Sequence, residues 1–338
     1  MRVVIVTDAW HPQVNGVVRT LSTTGTYLEK AGHEVSYITP EHFPTVPCPT
    51  YPSIRLAVLP GRGVRRQLDE LRPDAIHIAT EGPLGHAARR YCRRRSLRFT
   101  TSFHTQFPEY IRLRAPLPLS VSYAYLRRFH GRAAATLVPT ASQIKRLEDR
   151  GFSQLRLWPR GVDTSVFRPG DKGLYEWPRP IMIYMGRVAV EKNIEAFLDA
   201  RHPGTKVVIG DGPDLAQLEK AYPEAKFLGA KYGDDLAAHV AAGDVFVFPS
   251  LTDTFGLVLL EAMACGLPVA AFPVTGPIDV IEHGRSGILD EDLDAAIAGA
   301  LKLAPADCIR HAHGFAWERC TAAFAECLAP NEAWAAAA

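Results

Sequence analysis

The sequence predicts an α/β protein made of two successive sets of alternating strands and helices, each forming a mostly parallel sheet with helices on both faces. Three observations carry this expectation. Short apolar runs of strand length alternate with amphipathic helical stretches along nearly the whole chain. The pattern restarts after an acidic, proline-containing stretch at 170–180, about half-way along. A length of 338 residues with 47% hydrophobic content suits about two domains with real cores.

In the first half, Arg2 to Thr7 reads as a buried strand, followed by a loop from Asp8 to Gly16 and an amphipathic helix from Val17 to Ala31, closed by Gly32. Gly16 can bring backbone amides close to a phosphate or sugar at that helix start, although Asn-Gly also marks ordinary turns. Further strands are predicted at Glu34 to Thr39, Ile54 to Leu59, Ala75 to Ala79, Phe99 to Phe103 and Ala134 to Pro139. Helices are predicted at Gly63 to Leu71, Gly85 to Arg95 and Gln143 to Arg150. His104 follows the strand at Phe99, and the carboxyl edge of an open α/β sheet is where ligands sit. It is read as a donor to a sugar hydroxyl or to developing charge, against the plainer reading of a histidine capping a turn.

The stretch from Tyr110 to Arg132 mixes apolar, aromatic and basic residues, among them Tyr110, Arg112, Arg114, Arg127 and Arg128. With Arg89, Arg90, Arg93, Arg94 and Arg95 it gives the first half a cationic face beside apolar side chains. That combination suits attachment to anionic lipid, at about 1 kcal/mol per basic residue near the surface. A solvated helix over core residues is the plainer reading. None of the usual nucleic-acid motifs is present, so no nucleic-acid partner is expected.

The second half restarts with the strand Ile181 to Met185, and the loop after it presents Arg187 and Lys192. Two cations beside a helix start make a good diphosphate clamp, because the arginine fork bridges oxygens while the lysine acts as a point charge. Strands at Thr205 to Ile209 and Ala225 to Leu228 lead to turns at Gly210 and Gly229, the second carrying Lys231. Helix Asp234 to Ala242 precedes the buried strand Asp244 to Pro249. Then comes the helix Leu257 to Cys265, with Thr252 or Asp253 placed near its N-cap and Gly266 and Pro268 as its stop. Asp253 and Glu261 are two acids flanking Phe255-Gly256 in an otherwise apolar stretch, which asks for a ligand. Phe315 to Phe324 reads as an amphipathic helix and Pro330 to Ala338 as a frayed tail.

Charge is divided unevenly. Residues 1–165 carry 24 Lys and Arg against 12 Asp and Glu, a net of +12, while residues 166–338 carry 14 against 24, a net of −10. The first half is therefore expected to meet something anionic. The six cysteines form no Cys-x-x-Cys pair, which favours a reduced compartment over a disulfide framework. The first residues read as a strand rather than a signal peptide, and no apolar run approaches the ~20 residues of a membrane span. Cys308, His311 and His313 lack a matching fourth metal ligand, and the acids at Asp290 to Asp294 read as solvated surface.

The ordered set Gly186-Arg187…Glu191-Lys192-Asn193, Gly210-Asp-Gly-Pro213, Pro249-Ser250…Asp253-x-Phe-Gly256…Glu261-Ala-Met-Ala-x-Gly-x-Pro-Val269 resembles the retaining glycosyltransferases of family 4, which have the GT-B fold. Its pattern is most similar to the branch of sulfolipid synthases and bacterial mannosyl- and glycosyl-diacylglycerol transferases. The resemblance implies two Rossmann-like domains facing across a cleft: an acceptor and membrane-facing domain at 1–165, a nucleotide-sugar domain at 166–312, and a helix at 313–330 crossing back to the first. It implies that Arg187 and Lys192 hold the donor diphosphate and that Glu261 accepts from the ribose hydroxyls. Asp253, with the amides of Phe255, Gly256 and Leu257, would bind the sugar and β-phosphate. Gly16 would approach the phosphates, His104 the reacting carbon, and the segment from Gly229 to Tyr232 the base. The family usually has glutamate where this chain has Asp253, one methylene shorter.

The resemblance further implies retention by same-face attack, in which the leaving phosphate helps deprotonate the acceptor, with no metal or other cofactor. The expected reaction moves a hexose or hexuronate, from a UDP-sugar above others, to a membrane lipid such as diacylglycerol at the cytoplasmic face. A GDP-mannose-dependent mannosyltransferase acting on a lipid or soluble glycan is one alternative, and a noncatalytic anionic-lipid or nucleic-acid module is another. Donor identity, acceptor identity and oligomeric state stay open at this level.

Overall fold

The computed structural model describes residues 1–13, 15–48, 51–114 and 117–331, with 51–53 and 113–114 described by their backbone alone. The tail expected to fray from Pro330 is instead held at its start, where Pro330 bridges to Ala75 and Asn331 bonds to Asp74 and Arg98; from residue 332 it lies outside the described residues, as does the side chain of Arg114. The chain divides into two compact units, Met1–Pro159 together with the stretch from Trp317, and Arg160–Ala316.

Unit 1 runs β1 (Arg2–Val6), α1 (Gly16–Lys30), β2 (Glu34–Ile38), β3 (Thr45–Cys48), β4 (Tyr51–Ala57), α2 (Gly61–Leu71), β5 (Ala75–Ile78), α3 (Pro83–Arg94), β6 (Thr100–Ser102), α4 (Phe107–Arg114), α5 (Leu119–His130), β7 (Ala135–Val138), α6 (Ala141–Glu148) and β8 (Leu155–Leu157). Its six-stranded sheet has the order β2-β1-β5-β6-β7-β8, with every pairing parallel. Along β1 the side chains alternate: Val4 and Val6 enter the core shared with Val64 and Leu68 of α2 and Leu84 and Ala88 of α3.

The strand expected at Ile54 to Leu59 does not join this sheet. It ends at Ala57 and pairs antiparallel with β3, held by Arg55 bonding to Thr45. Arg55, Val58 and Leu59 are exposed and Ile54 and Leu56 only half-buried, as in a small surface hairpin rather than a strand buried on both faces.

Unit 2 runs β9 (Ile181–Met185), α7 (Ile194–Leu198), β10 (Thr205–Ile209), α8 (Leu215–Ala221), β11 (Lys226–Phe227), α9 (Gly233–Ala241), β12 (Val245–Phe248), α10 (Leu257–Ala264), β13 (Val269–Ala271), α11 (Pro277–Val280), β14 (Gly287–Leu289), α12 (Leu293–Ala300) and α13 (Pro305–His313). The sheet order is β11-β10-β9-β12-β13-β14, again all parallel. Ile181, Ile183 and Met185 enter one core with Phe246 and Phe248, while Met182 and Tyr184 enter the other with Val245 and Val247. The strand order reverses between β9 and β12, so the loops at their carboxyl ends diverge and leave a crevice there.

After unit 2 the chain returns to unit 1 as α14 (Trp317–Cys327), which packs on α1. Phe324 lies edge-on to His77 and tilted against Trp158, with centroids 4.8 Å away in both cases. Asn331 bonds to both the amide and the carbonyl of Arg98.

Candidate active site

In unit 2 the loops after β9 and β12 are joined into one structure. Lys192 closes a single 3-10 turn, with its amide on Ala189 O at 2.8 Å. Its ammonium donates to both carboxylate oxygens of Asp253, at 2.6 and 2.8 Å. Asn193 follows in the left-handed region (φ 51°, ψ 39°), and its side-chain amide donates to Pro249 O at 3.1 Å. The hydroxyls of Ser250 and Thr252 both donate to Glu191 O, at 3.4 and 3.2 Å. Four contacts therefore hold the cation-bearing loop against the acid-bearing one.

The helix cap differs from expectation. Gly256, at φ 84°, is the N-cap of α10 and no side chain caps the helix, because Asp253 is turned to Lys192. Phe255 is buried and meets Phe315 edge-on, Leu257 is half-buried in the first turn of α10, and Glu261 is nearly buried on its inner face. One turn on, burial and then the charge of Glu261 push the Cys265 thiol up to about 12.

Arg187 is half-buried beside β9, its carbonyl accepting from the Tyr184 hydroxyl at 2.8 Å. Gly210 is set by close approach: a Cβ there would lie 1.8 Å from Gly186 O. Lys231 is paired with Asp235 of α9 at 3.1 Å, and Tyr232 beside it is exposed. Cys308 and His311, weighed above as metal ligands, bond to Ser286 O and Val280 O.

In unit 1 the Gly16 expectation needs adjusting. Asn15 caps α1, and its Oδ1 accepts from the amides of Val17 and Val18, both at 3.0 Å, so those two donors are already engaged. His104 lies just past β6, half-buried and edge-on to Trp158 at 5.6 Å. Where the strand order turns between β1 and β5, a polar cluster appears that sequence reasoning missed. Buried Asp8 accepts from the Thr80 hydroxyl and from the amides of Leu84 and Gly85 at the start of α3. Burial outweighs these bonds and pushes its carboxyl up to about 6. Nearby, His130 bridges Glu81 and Thr101 at 3.1 and 2.9 Å. Asp8 carries a sequence signal, an acid directly after a buried strand; the partners come from the topology.

The basic residues do not form one face. Arg89 donates to the carbonyls of Phe129 and Arg128 at the end of α5, so it caps a helix, and burial lowers its pKa. Arg95 pairs with Asp69, and Arg127 bonds to Arg150 O. Arg90, Arg93, Arg94, Arg112 and Arg128 are exposed and Tyr110 is half-buried. Helices joining parallel strands run against them, so Arg93, Arg94 and Arg128, near the carboxyl ends of α3 and α5, lie toward the amino edge of the sheet. The exposed apolar residues Phe107, Ile111, Leu117 and Val121 lie at the opposite, carboxyl edge. No helix among the described residues is long and apolar enough to cross a membrane.

The family model described as Glycosyltransferase Family 4 matches residues 14–166, and that of Glycosyl transferases group 1 matches residues 179–305. A GDP-mannose-dependent alpha-mannosyltransferase of Mycobacterium tuberculosis is 32% identical across 86% of this chain and 83% of its own. The chain belongs to glycosyltransferase family 4. This family 4 glycosyltransferase is also similar to an alpha-monoglucosyldiacylglycerol synthase of Streptococcus pneumoniae, at 28% identity across 90% of this chain and 79% of that protein. Its fold is GT-B, matched by the sucrose-phosphate synthase of Thermosynechococcus elongatus with a TM-score of 0.75 at 20% identity, covering 96% of this chain and 97% of that one.

Proposed function

We propose that this glycosyltransferase moves a hexosyl or hexuronosyl group from a nucleotide sugar to a membrane lipid, diacylglycerol above others, with retention of configuration and without a metal. The observation that carries the lipid reading is the row of exposed apolar side chains, Phe107, Ile111, Leu117 and Val121, at the carboxyl edge of the unit 1 sheet. The alpha-monoglucosyldiacylglycerol synthase among its relatives supports the same acceptor class.

On the donor side the leaving group is a nucleoside diphosphate, whose negative charge grows as the glycosidic bond breaks. Lys192 and Arg187 supply positive charge at the crevice between β9 and β12, which is the work a divalent cation does elsewhere. Glu261 takes the ribose, and Asp253 both orients Lys192 and faces the sugar. The leaving phosphate accepts the acceptor hydroxyl's proton on the same face. His104 contacts the sugar near the reacting carbon, and the enzyme works peripherally at the inner face of the cell membrane. A second reading, mannosyl transfer from GDP-mannose, is favoured by the mycobacterial relative.

The test is the purified chain with EDTA, dioleoylglycerol vesicles and separate UDP-glucose, UDP-galactose, UDP-glucuronate, UDP-sulfoquinovose and GDP-mannose. The expected outcome is a new glycosyl-diacylglycerol by mass spectrometry from one donor, with the donor's anomeric configuration by NMR. Transfer only to a dissolved sugar would overturn the lipid reading. Activity that EDTA abolishes would overturn the metal-free clamp.

A further inference from the structure

A single corner of unit 1 combines a fully presented apolar side chain with a cluster of exposed positive charge. Leu59, between β4 and α2, is 91% exposed and sits at φ 47°, in a backbone region that non-glycine residues rarely adopt. Val58 before it and Val46 on the facing strand of the hairpin are 41% and 50% exposed. An exposed leucine held in a left-handed conformation is unfavourable in water on two counts. The first is relieved if the side chain leaves water on docking, and the second fixes the direction in which it is presented.

The helix that follows supplies the complement. Val64 and Leu68 of α2 face the core, while Arg62, Arg65 and Arg66, at spacings of three and four, point outward. They line a groove of about 610 Å³ whose acids, Asp69 and Glu70, lie at its far end. Asp69 is engaged by Arg95 and by the Tyr91 hydroxyl, and Glu70 lies 3.9 Å from Arg66. Because α2 leads into β5 and packs beside α3, its first turn lies at the carboxyl edge of the sheet, the edge that carries Phe107, Ile111, Leu117 and Val121. The arginines at the end of α3 lie toward the other edge.

We propose that Leu59, with Val58, inserts into an anionic bilayer while Arg62, Arg65 and Arg66 meet its phosphate headgroups, and that the arginines of α3 do not make this contact. An anionic bilayer fits better than a protein partner because the corner joins one isolated apolar knuckle to positive charge rather than presenting a broad apolar face. This rests on the lipid-acceptor reading.

The full chain is tested on vesicles of phosphatidylcholine with roughly a third phosphatidylglycerol, by co-sedimentation. Leu59→Gly is the decisive variant, since glycine accepts φ 47° and loss of binding then cannot be assigned to misfolding. It should weaken vesicle binding about fivefold with an unchanged melting temperature. Arg62, Arg65 and Arg66 changed together to glutamine should weaken it more, and Arg93→Gln with Arg94→Gln should not. In L59W the added indole should be quenched by brominated lipid. Equal binding by Leu59→Gly and the parent chain, with no quenching in L59W, overturns the proposal while leaving the lipid reading intact. A parent chain that binds no vesicles yet glycosylates a dissolved acceptor overturns both. Concentration-dependent self-association lost in Leu59→Gly, without vesicle binding, reassigns the corner to contacts between copies.

Discussion

Lys192 and Asp253 hold each other at 2.6 and 2.8 Å, each side chain under a fifth exposed, so neither charge is left to bulk water. A diphosphate entering between the loops meets a cation already paired with the Asp253 carboxylate. Lys192→Ala should therefore lower kcat by about 100-fold or more, the scale of removing one group that stabilises a leaving anion. Arg94→Ala, exposed at the end of α3, should leave kcat within about twofold, since surface positions away from a site rarely matter. Steady-state kinetics on detergent-dispersed diacylglycerol reads both, and near-normal turnover by the Lys192 variant would remove the clamp assignment. Asp8 supplies a second test. Its folded-state carboxyl titrates at about 6 against an ordinary 3.8, so the folded chain holds the proton more tightly than the unfolded one. This contribution to stability is then full below the lower value, falls as pH rises through the interval, and is lost above about 6. Asp8→Asn cannot ionise, so its melting temperature should gain on the parent's between pH ~4 and ~6 and hold that gain at pH 7. A gap that does not vary with pH would contradict the assignment.

At the scale of elements, the donor crevice depends on how the two strand-end loops are fastened, and Asn193 does two jobs there. Its left-handed backbone turns the chain from the Lys192 turn into α7, and its amide ties that turn to Pro249. Replacements separate the two. Asn193→Gly keeps the backbone freely and loses the bond. Asn193→Asp tolerates the backbone but turns an acceptor toward the Pro249 carbonyl. The glycine variant should lose about tenfold in kcat/KM for the donor and the aspartate variant more, with acceptor KM unchanged, since losing or opposing this partly buried bond costs about 1–2 kcal/mol. Parent-like donor kinetics in both would show that the bond positions nothing. Little of this fastening was legible in the sequence, because the bond crosses 56 positions and the left-handed φ has only a weak local signal. The elements themselves were legible where burial is complete: β9 and β12 read as strands because apolar side chains fill both faces. The hairpin of β3 and β4 is not separable from the main sheet in the sequence, because Ile54 to Leu59 is apolar apart from Arg55 and has the length of a main-sheet strand. Strands β13 and β14, of three residues each, are too short to show a period. The position of Lys192 and Asp253 after buried strands was readable, whereas their ion pair, 61 positions apart, was not.

For the whole molecule, the uneven charge poses a question that pairwise contacts do not answer. The first 165 residues carry a net of +12, yet the structure spreads that charge over both edges of one sheet and spends part of it on Arg89, Arg95 and Arg127 holding neighbouring elements. Only cations at the edge that also exposes apolar side chains can act together with them on a bilayer. Attachment should accordingly have two separable parts. The electrostatic part fades as the screening length falls from about 10 Å at 0.1 M salt to about 3 Å at 1 M. The apolar part is insensitive to salt, or strengthened by excluded anions such as sulfate. Vesicle binding by the parent chain should thus fall steeply with sodium chloride and then level off above zero. The level that remains should drop further in Leu59→Gly, while the arginine-to-glutamine triple variant should start near that level and respond weakly to salt. Flotation across a salt series reads all three curves. A parent curve that falls to nothing would leave the apolar side chains without a part in docking, and curves of equal slope for the parent and the triple variant would place the electrostatic contact elsewhere on unit 1.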